Sequence, residues 1–356
     1  MPGGTGGTGG IGGTGGIGGT GGIGGAGGIG GAGGTSGAGG TAGAGGTGGG
    51  FECPAGHLLP SDTCDWYEGE PAFENGVCCY SHTSGDCCGR PFVVGREQRI
   101  AAVVGRVDWR GPATDPVELD AALRHRLSQE WLGDALLEHA SIAAFCRFTL
   151  QLLALGAPRE MVAASQRASL DEQAHAEACF ALANRFADEP IGPGALDIGG
   201  VLSGQSMAEI AALVVIEACV GETVAAALAQ EQRAVATDPQ AIAALDRIAR
   251  DEADHAELGW AFVSWALREG GRPVLEAVAA AFDSALRSRA EDPTPPDDDD
   301  GQRAALHRFG RLTSNERRSA RQRALESVVR PCSQRLLALA STGATNPHLR
   351  RAATAV

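Results

Sequence analysis

Two short stretches decide which fold the sequence encodes: ASLDEQAHAEA at residues 168–178 and RIARDEADHAEL at residues 247–258. In each stretch a histidine follows a glutamate by three positions; the pairs are Glu172 with His175 and Glu252 with His255. An amphipathic helix buries residues spaced alternately three and four apart, so each pair is predicted to lie within the apolar stripe of its helix. Ionisable groups buried without partners are costly, so these positions require a physical explanation.

Two more acids follow the same pattern on neighbouring predicted helices. Glu138 falls in the apolar stripe of the first long helix, and Glu217 falls in that of the third. The spacing from Glu138 to Glu172 is 34 residues, and the spacing from Glu217 to Glu252 is 35. The sequence therefore contains two helical hairpins, each of the form Glu then Glu-x-x-His, related by an approximate internal repeat.

Such a cluster of inward-facing acids indicates a metal site. Four ionised glutamates in one dry core would repel one another and take up protons, whereas two divalent cations would offset their four charges. One glutamate from each of two helices, with Glu-x-x-His from each of the other two, is the pattern of a dinuclear carboxylate site inside a helical bundle.

On these motifs, residues 130–269 resemble the ferritin-like superfamily of di-iron or di-manganese proteins. The resemblance implies a mainly α fold, a four-helix bundle in which residues 189–204 form the long crossover between the two hairpins. It also implies the role of each metal ligand: Glu138 and Glu217 as terminal ligands, Glu172 and Glu252 as bridges, and His175 and His255 as caps on one metal each.

Three further acids are candidates for a place near this site. Glu222 lies five residues after Glu217, about 140° round a regular helix, so it packs laterally unless a π-bulge turns it into an additional ligand. Asp171 and Asp251 immediately precede the bridging acids and could orient a histidine of the neighbouring helix; an exposed position is an equal alternative.

The resemblance implies two Fe ions, or alternatively two Mn ions, and an oxidoreductase that activates dioxygen or peroxide and acts on a small-molecule substrate. The sequence singles out no catalytic residue beyond these ligands. The competing interpretation is a non-enzymatic scaffold or metal-binding protein of the cell envelope. That alternative predicts that some of the six inward groups are replaced, and none is.

The chain divides by composition into five regions. Residues 1–50 form a Gly-Gly-X segment, predicted to be a disordered tether, and residues 51–111 hold six of the ten cysteines and are predicted to form a small disulfide-stapled module. The ferritin-like bundle is assigned to 116–290, an acidic loop to 291–301 and extra Arg-rich helices to 302–356. Predicted helices span 117–155, 158–188, 206–236, 239–269, 273–290, 302–309 and 314–340. Gly156 is expected to end the first of these and Asp238 to cap the fourth, and the last is expected to be interrupted at Pro331.

Charge and hydropathy restrict the partners and the location. The formal net charge of −14 argues against nucleic-acid binding, although residues 302–356 alone carry +9. We expect no transmembrane segment and find no signal peptide in the given sequence, yet a disulfide-stapled module favours an exported or envelope-associated protein. One resolution is a start upstream of Met1. The sequence leaves a homo-oligomer open.

Overall fold

The computed structural model of the protein describes residues 65–74, 77–84, 90–94, 97–111, 117–201, 204–287 and 300–344. These residues confirm the mainly α class. The Gly-rich segment and nearly all of the acidic loop lie outside the described residues, as do the side chains of the six cysteines of the predicted disulfide module. The other four cysteines, Cys146, Cys179, Cys219 and Cys332, are free thiols.

Helices occupy most of the chain after residue 120. Their bounds are α1 Ala121–Ala154, α2 Arg159–Phe186, α3 Met207–Val214, α4 Thr223–Val235, α5 Pro239–Glu269, α6 Gly271–Arg287, α7 Asp300–Arg308, α8 Ser314–Ala324 and α9 Arg330–Ala344. Two π-helical segments, Val215–Glu222 and Leu325–Val329, join α3 to α4 and α8 to α9. The first makes one continuous helix from Met207 to Val235, and the second lies just before Pro331, where the sequence predicts an interruption.

Side-chain caps and glycines fix the helix ends where the sequence predicts them. Asp238 accepts hydrogen bonds from the backbone N–H groups of Gln240 and Ala241, and a proline follows at the first helical position of α5. Gly156 adopts a positive φ of 63° just after α1, a conformation that favours glycine. The long helices therefore have well-defined starts and stops, which set the register of the acids they carry.

The continuous helix from Met207 to Val235 is the most apolar element. It is 29 residues long, and its most apolar window of 18 residues has a mean hydropathy of 1.9, which would allow it to cross a membrane by length and composition alone. However, 72% of its most apolar window is buried within the protein, which is typical of a core helix. It packs against α5 and α6, and carries both Glu217 and Glu222.

The strands are short and antiparallel. Strand β1 Asp65–Glu74 pairs with β2 Val77–Ser84, and β3 Val93–Val94 pairs with β4 Glu97–Gln98. Strand β5 Val103–Gly105 pairs with β6 Ile191–Pro193 from the crossover between α2 and α3. The side chain of Asn184 exchanges two hydrogen bonds of 2.8 Å with the backbone of Ile191 and fixes the start of this crossover.

Residues 90–111, assigned by composition to the Cys-rich region, lie directly against the helices. Phe92 is fully buried against Ala140 and Ala144 of α1, and Ala101 joins the core formed by α1, α2 and α5. This N-terminal segment therefore covers one side of α1 close to Glu138.

The core has two main parts along the long helices. One contains Phe145, Phe148 and Phe262, where the last two rings meet edge to face at 5.1 Å. The other contains Trp131 and Phe309, and Phe309 comes from the segment that follows α7. The candidate site lies on the helices between these two apolar regions, which keep it away from water.

Candidate metal centre

Four helical stretches send ionisable side chains into one buried cluster. Glu138 comes from α1, Glu172 and His175 from α2, Glu222 from the end of the π-helical segment, and Glu252 and His255 from α5. None of the six residues is more than 3% exposed. Each of them is brought inward by the helical periodicity of its own segment, so the cluster is a direct consequence of where the acids stand in the sequence.

The six residues form two overlapping groups, each of which could hold a metal ion. One group contains Glu138, Glu172, His175 and Glu252; the other contains Glu172, Glu222, Glu252 and His255. Within each group one ligating atom from every residue lies within 4.8 Å of the others. The two groups share two carboxylates and differ in one acid and one histidine, so the cluster is compatible with a two-metal site.

The shared carboxylates are oriented to serve both groups. Glu172 places Oε2 3.7 Å from Nδ1 of His175 and Oε1 3.1 Å from Nδ1 of His255. Glu252 places Oε1 3.5 Å from Nδ1 of His175 and Oε2 3.6 Å from Nδ1 of His255. Each shared acid therefore presents one oxygen to each group, which is the arrangement that a bridging carboxylate requires.

The outer nitrogens of the two histidines face aspartates of the opposite helix. Nε2 of His175 on α2 lies 3.0 Å from Oδ2 of Asp251 on α5. Nε2 of His255 on α5 lies 3.5 Å from Oδ2 of Asp171 on α2. A carboxylate at the outer nitrogen orients the ring and leaves Nδ1 free to face the cluster, so both aspartates are placed to support the ligating nitrogen.

The four acids of the cluster differ in the direction of their pKa shifts. Burial and the neighbouring charge of Glu172 raise the pKa of Glu138 well above its ordinary value of 4.5. Burial and the charge of Glu252 do the same to the pKa of Glu222. For Glu172 and Glu252 burial acts in the same upward direction, but contacts with both histidine rings outweigh it and lower the pKa of each.

The histidines carry the compensating positive charge. Burial acts to lower the pKa of His175, but Asp251 and the glutamates around the ring raise it well above 6.5. The pKa of His255 is raised in the same way by Asp171 and the two shared glutamates, against the effect of burial. Raised pKa values favour protonated histidine rings in the metal-free protein. Their positive charge offsets the negative charge of the glutamates, as a bound cation would.

The donor set fits metal ions because its polar atoms have few other partners. Ten buried nitrogen and oxygen atoms of the six residues have no hydrogen bond of acceptable geometry to any part of the chain that the structure describes. Buried polar atoms are nearly always satisfied in folded proteins, so a concentration of unsatisfied atoms in one place requires a ligand. Carboxylate oxygens and imidazole nitrogens suit iron or manganese ions.

Glu217 lies in neither group, and our expectation that it is a terminal ligand is therefore revised. Although it is fully buried as predicted, its carboxylate is paired with two arginines: Oε2 accepts a 3.2 Å hydrogen bond from Nε of Arg90, and Oε1 accepts one from Arg147. Its side chain is thus satisfied by guanidinium groups. Glu222, the candidate additional ligand, occupies the corresponding place in the second group.

The π-helical segment explains why Glu222, and not Glu217, belongs to the second group. In a regular α-helix Glu222 would diverge from Glu217 by about 140°, but π-helical hydrogen bonds join residues five apart and change the direction of every later side chain. The hydroxyl of Thr223 donates a 2.8 Å hydrogen bond to the carbonyl of Cys219 within the widened turn. Gly259 of α5 leaves room for it, since a Cβ there would lie only 2.4 Å from Cβ of Ala218.

Two contacts near the cluster are not predicted by the sequence. The ring of Phe145 packs edge to face against His255, with ring centroids 4.9 Å apart. The guanidinium of Arg90, from the N-terminal segment, lies 4.5 Å from the centroid of the same Phe145 ring. In the sequence of α1, Arg147 stands between Phe145 and Phe148. An arginine among apolar aromatic residues is the sequence signal that could have indicated a buried acidic partner.

Comparison of the chain with models of protein families, with curated proteins and with solved structures finds no match. The function is therefore inferred from the geometry of the residues themselves.

Proposed function

We propose that the protein is a ferritin-like dinuclear metal protein that binds two Fe ions, or alternatively two Mn ions, and acts as an oxidoreductase on dioxygen or peroxide. One observation carries the proposal: two buried groups of four ligating residues share two carboxylates, each of which presents one oxygen to each group. The proposed bundle consists of α1, α2, the continuous helix Met207–Val235 and α5.

The ligand roles follow from membership of the two groups. Glu172 and Glu252 would bridge the metals, because they belong to both groups. The remaining ligands would each serve one metal: Glu138 and His175 the first, Glu222 and His255 the second. This assignment gives each metal the same types of donor, although the internal repeat of the sequence predicts Glu217 rather than Glu222 for the second set.

A pair of such ions about 3.5–4 Å apart can bind and activate dioxygen or peroxide. The residues of the chain supply the surroundings for this chemistry. Asp251 is hydrogen-bonded to Nε2 of His175, Asp171 lies 3.5 Å from Nε2 of His255, and Phe145 packs against His255 and excludes water from that side. The pKa of Glu138 and that of Glu222 are raised well above 4.5 by burial and neighbouring carboxylates, and a cation held by these residues would favour their ionised, ligating forms.

The first test is the metal content of the purified protein by elemental mass spectrometry after anaerobic loading with Fe(II) or Mn(II). Wild type is compared with Glu172→Ala/His255→Ala and with Glu257→Gln, which changes an exposed acid of the same helix. We expect about two metals per chain in wild type and Glu257→Gln and close to none in the double variant. Absence of metal from all three, with helical structure retained, would leave only the scaffold interpretation.

The second test addresses the reaction. Metal-loaded wild type should consume dioxygen or peroxide in an electrode assay, and the double variant should not. If the loaded protein binds two metals but consumes neither oxidant, the oxidoreductase part of the proposal fails and a metal-binding protein remains.

A further inference from the structure

A second buried charge cluster lies beside the candidate centre and consists of Arg90, Arg147 and Glu217. Their side chains are at most 3% exposed. Both oxygens of the Glu217 carboxylate are occupied: Arg90 donates to Oε2, and Arg147 and the backbone N–H of Val93 donate to Oε1. We refer to these three charged residues as the arginine clamp.

The clamp joins three distant parts of the chain. Arg90 belongs to the N-terminal segment, Arg147 to α1 and Glu217 to the π-helical segment. The segment is itself fixed to α1, because Ser141 donates a 2.7 Å hydrogen bond to the carbonyl of Arg90 and Arg147 donates one of 2.5 Å to the carbonyl of Val93. The clamp therefore holds Glu217 against α1 from two independent directions.

The clamp also lies close to the candidate ligands. The guanidinium of Arg90 lies over the rings of Phe145 and Phe148, at 4.5 Å and 4.8 Å from their centroids. The first of these rings packs against the ligating histidine His255. Only one aromatic side chain thus separates the clamp from the second metal-binding group.

Two acids on the same helix could compete for the centre. Because π-helical hydrogen bonds join residues five apart, Glu217 and Glu222 lie about one turn from each other on the same helix. Glu217 is drawn toward α1 by two positive charges, whereas Glu222 forms no ion pair with an arginine in the described part of the chain and lies with Glu252 and His255. The position of Glu217 therefore sets which acid is available to the metals.

We infer that Arg90, Arg147 and Glu217 are positioning residues: by holding Glu217 against α1 they keep Val215–Glu222 in its π-helical register and direct Glu222 into the metal site. The inference rests on the proposed function, because it treats Glu222 as a ligand. It assigns the N-terminal segment a direct part in building the centre, through Arg90.

The test replaces one arginine at a time. Two arginines face one glutamate, so Arg90→Met or Arg147→Met leaves a matched buried pair and avoids stranding the acid. The control is Arg311→Met, which removes another buried arginine, one that is paired with Glu130 and Asp134 of α1. Arg147→Lys keeps the positive charge and is the rescue variant.

Two quantities are measured: hydrogen exchange of peptides covering 215–222 by mass spectrometry, and the binding of Mn(II) in anaerobic titrations. We expect faster exchange of these peptides and about 10- to 100-fold weaker binding of one of the two metals in Arg90→Met and Arg147→Met. Arg147→Lys should recover part of both effects. Arg311→Met should lower the melting temperature without changing either quantity.

Three outcomes would overturn the inference: wild-type exchange and affinity in both clamp variants, faster exchange with unchanged metal affinity, or an equal loss of affinity in Arg311→Met. The proposed function fails separately, if wild type itself binds no Mn(II) or Fe(II). In that event exchange of 215–222 in the metal-free protein still decides whether the clamp holds the π-helical register. If a methionine variant does not fold, Arg90→Gln or Arg147→Gln takes its place.

Discussion

Helix α1 carries acids in two regions that differ in their partners. Near its start, Glu130 and Asp134 are paired with Arg311, which lies 4.5 Å from the centre of the Trp131 ring. One turn further along, Glu138 faces other acids and a histidine, with no arginine among the members of its group. The same helix thus contributes to one acidic cluster that is paired with arginines and to one that is not.

The difference is visible in the pKa values. Burial acts to raise the pKa of Glu130, yet Arg317, Arg311 and Arg126 outweigh burial and lower it below 4.5. The pKa of Glu138 is raised instead, because burial and other carboxylates act in the same direction. The acids of the first region are neutralised by arginines of the chain, whereas those of the candidate centre face one another and two histidines and could be neutralised by a cation.

The largest effect is expected from the shared acids. Glu252→Gln removes a donor from both groups and should reduce the metal content from about two per chain to near zero. Glu138→Gln removes a donor from one group only and should leave about one metal. Elemental mass spectrometry of the loaded variants measures both. Equal metal content in the two variants would contradict the bridging role.

Arg311→Met is expected to affect stability and leave the metal centre intact. It removes the arginine paired with Asp134, while Glu130 keeps Arg126 and Arg317, and should lower the free energy of unfolding by about 3 kcal/mol. Denaturant titration of metal-free protein gives this value, and metal content should remain about two per chain. A loss of metal equal to that of Glu252→Gln would show that the two acidic clusters are not independent.

Gly259→Ala should disturb the helix that carries Glu222. Its new Cβ would lie 2.4 Å from Cβ of Ala218 and 3.3 Å from the backbone of Cys219, so α5 or the π-helical segment must shift. Overpacking of this kind costs about 1–3 kcal/mol. We expect a lower midpoint of chemical denaturation and weaker binding of one metal. Ala253→Gly, at an exposed position of the same helix, controls for altered helix propensity.

The smallest effect concerns acid stability at the arginine-paired cluster. Because the pKa of Glu130 is lower in the folded protein than its ordinary value of 4.5, its stabilising contribution is present above that pH and is lost as the pH falls through the folded pKa. The difference in unfolding free energy between wild type and Glu130→Gln should therefore shrink as the pH is lowered below about 4.5. A difference independent of pH would show that the charge of Glu130 contributes nothing.

Much of the candidate site can be predicted from the sequence, because helical periodicity alone turns Glu138, Glu172 and Glu252 inward. The same periodicity places both histidines among them. Helix ends are predicted equally well at Asp238 and Gly156, since capping is a local property. The helices that carry these signals are long, which makes their pattern unambiguous.

The choice between Glu217 and Glu222 could not be made from the sequence. Regular helical geometry favours Glu217, and only the π-helical segment makes Glu222 the inward acid. That segment depends on contacts remote in the chain: Arg90 is 127 residues from its partner Glu217. A guanidinium supplied from so far away leaves no periodic signal near the acid, so sequence patterns cannot report it.

The π-helical segment Val215–Glu222 also bears on how the centre responds to a change in chain length. A π turn accommodates one more residue than an α-helical turn, so deleting a single residue between Glu217 and Glu222 would return the helix to regular geometry. Because the widened turn already takes up that residue, the side chains after it would keep their direction relative to α5. The same deletion within a regular helix such as α5 would rotate every later side chain by about 100° relative to those before it. The centre is therefore expected to tolerate the loss of one codon in this segment better than in α5.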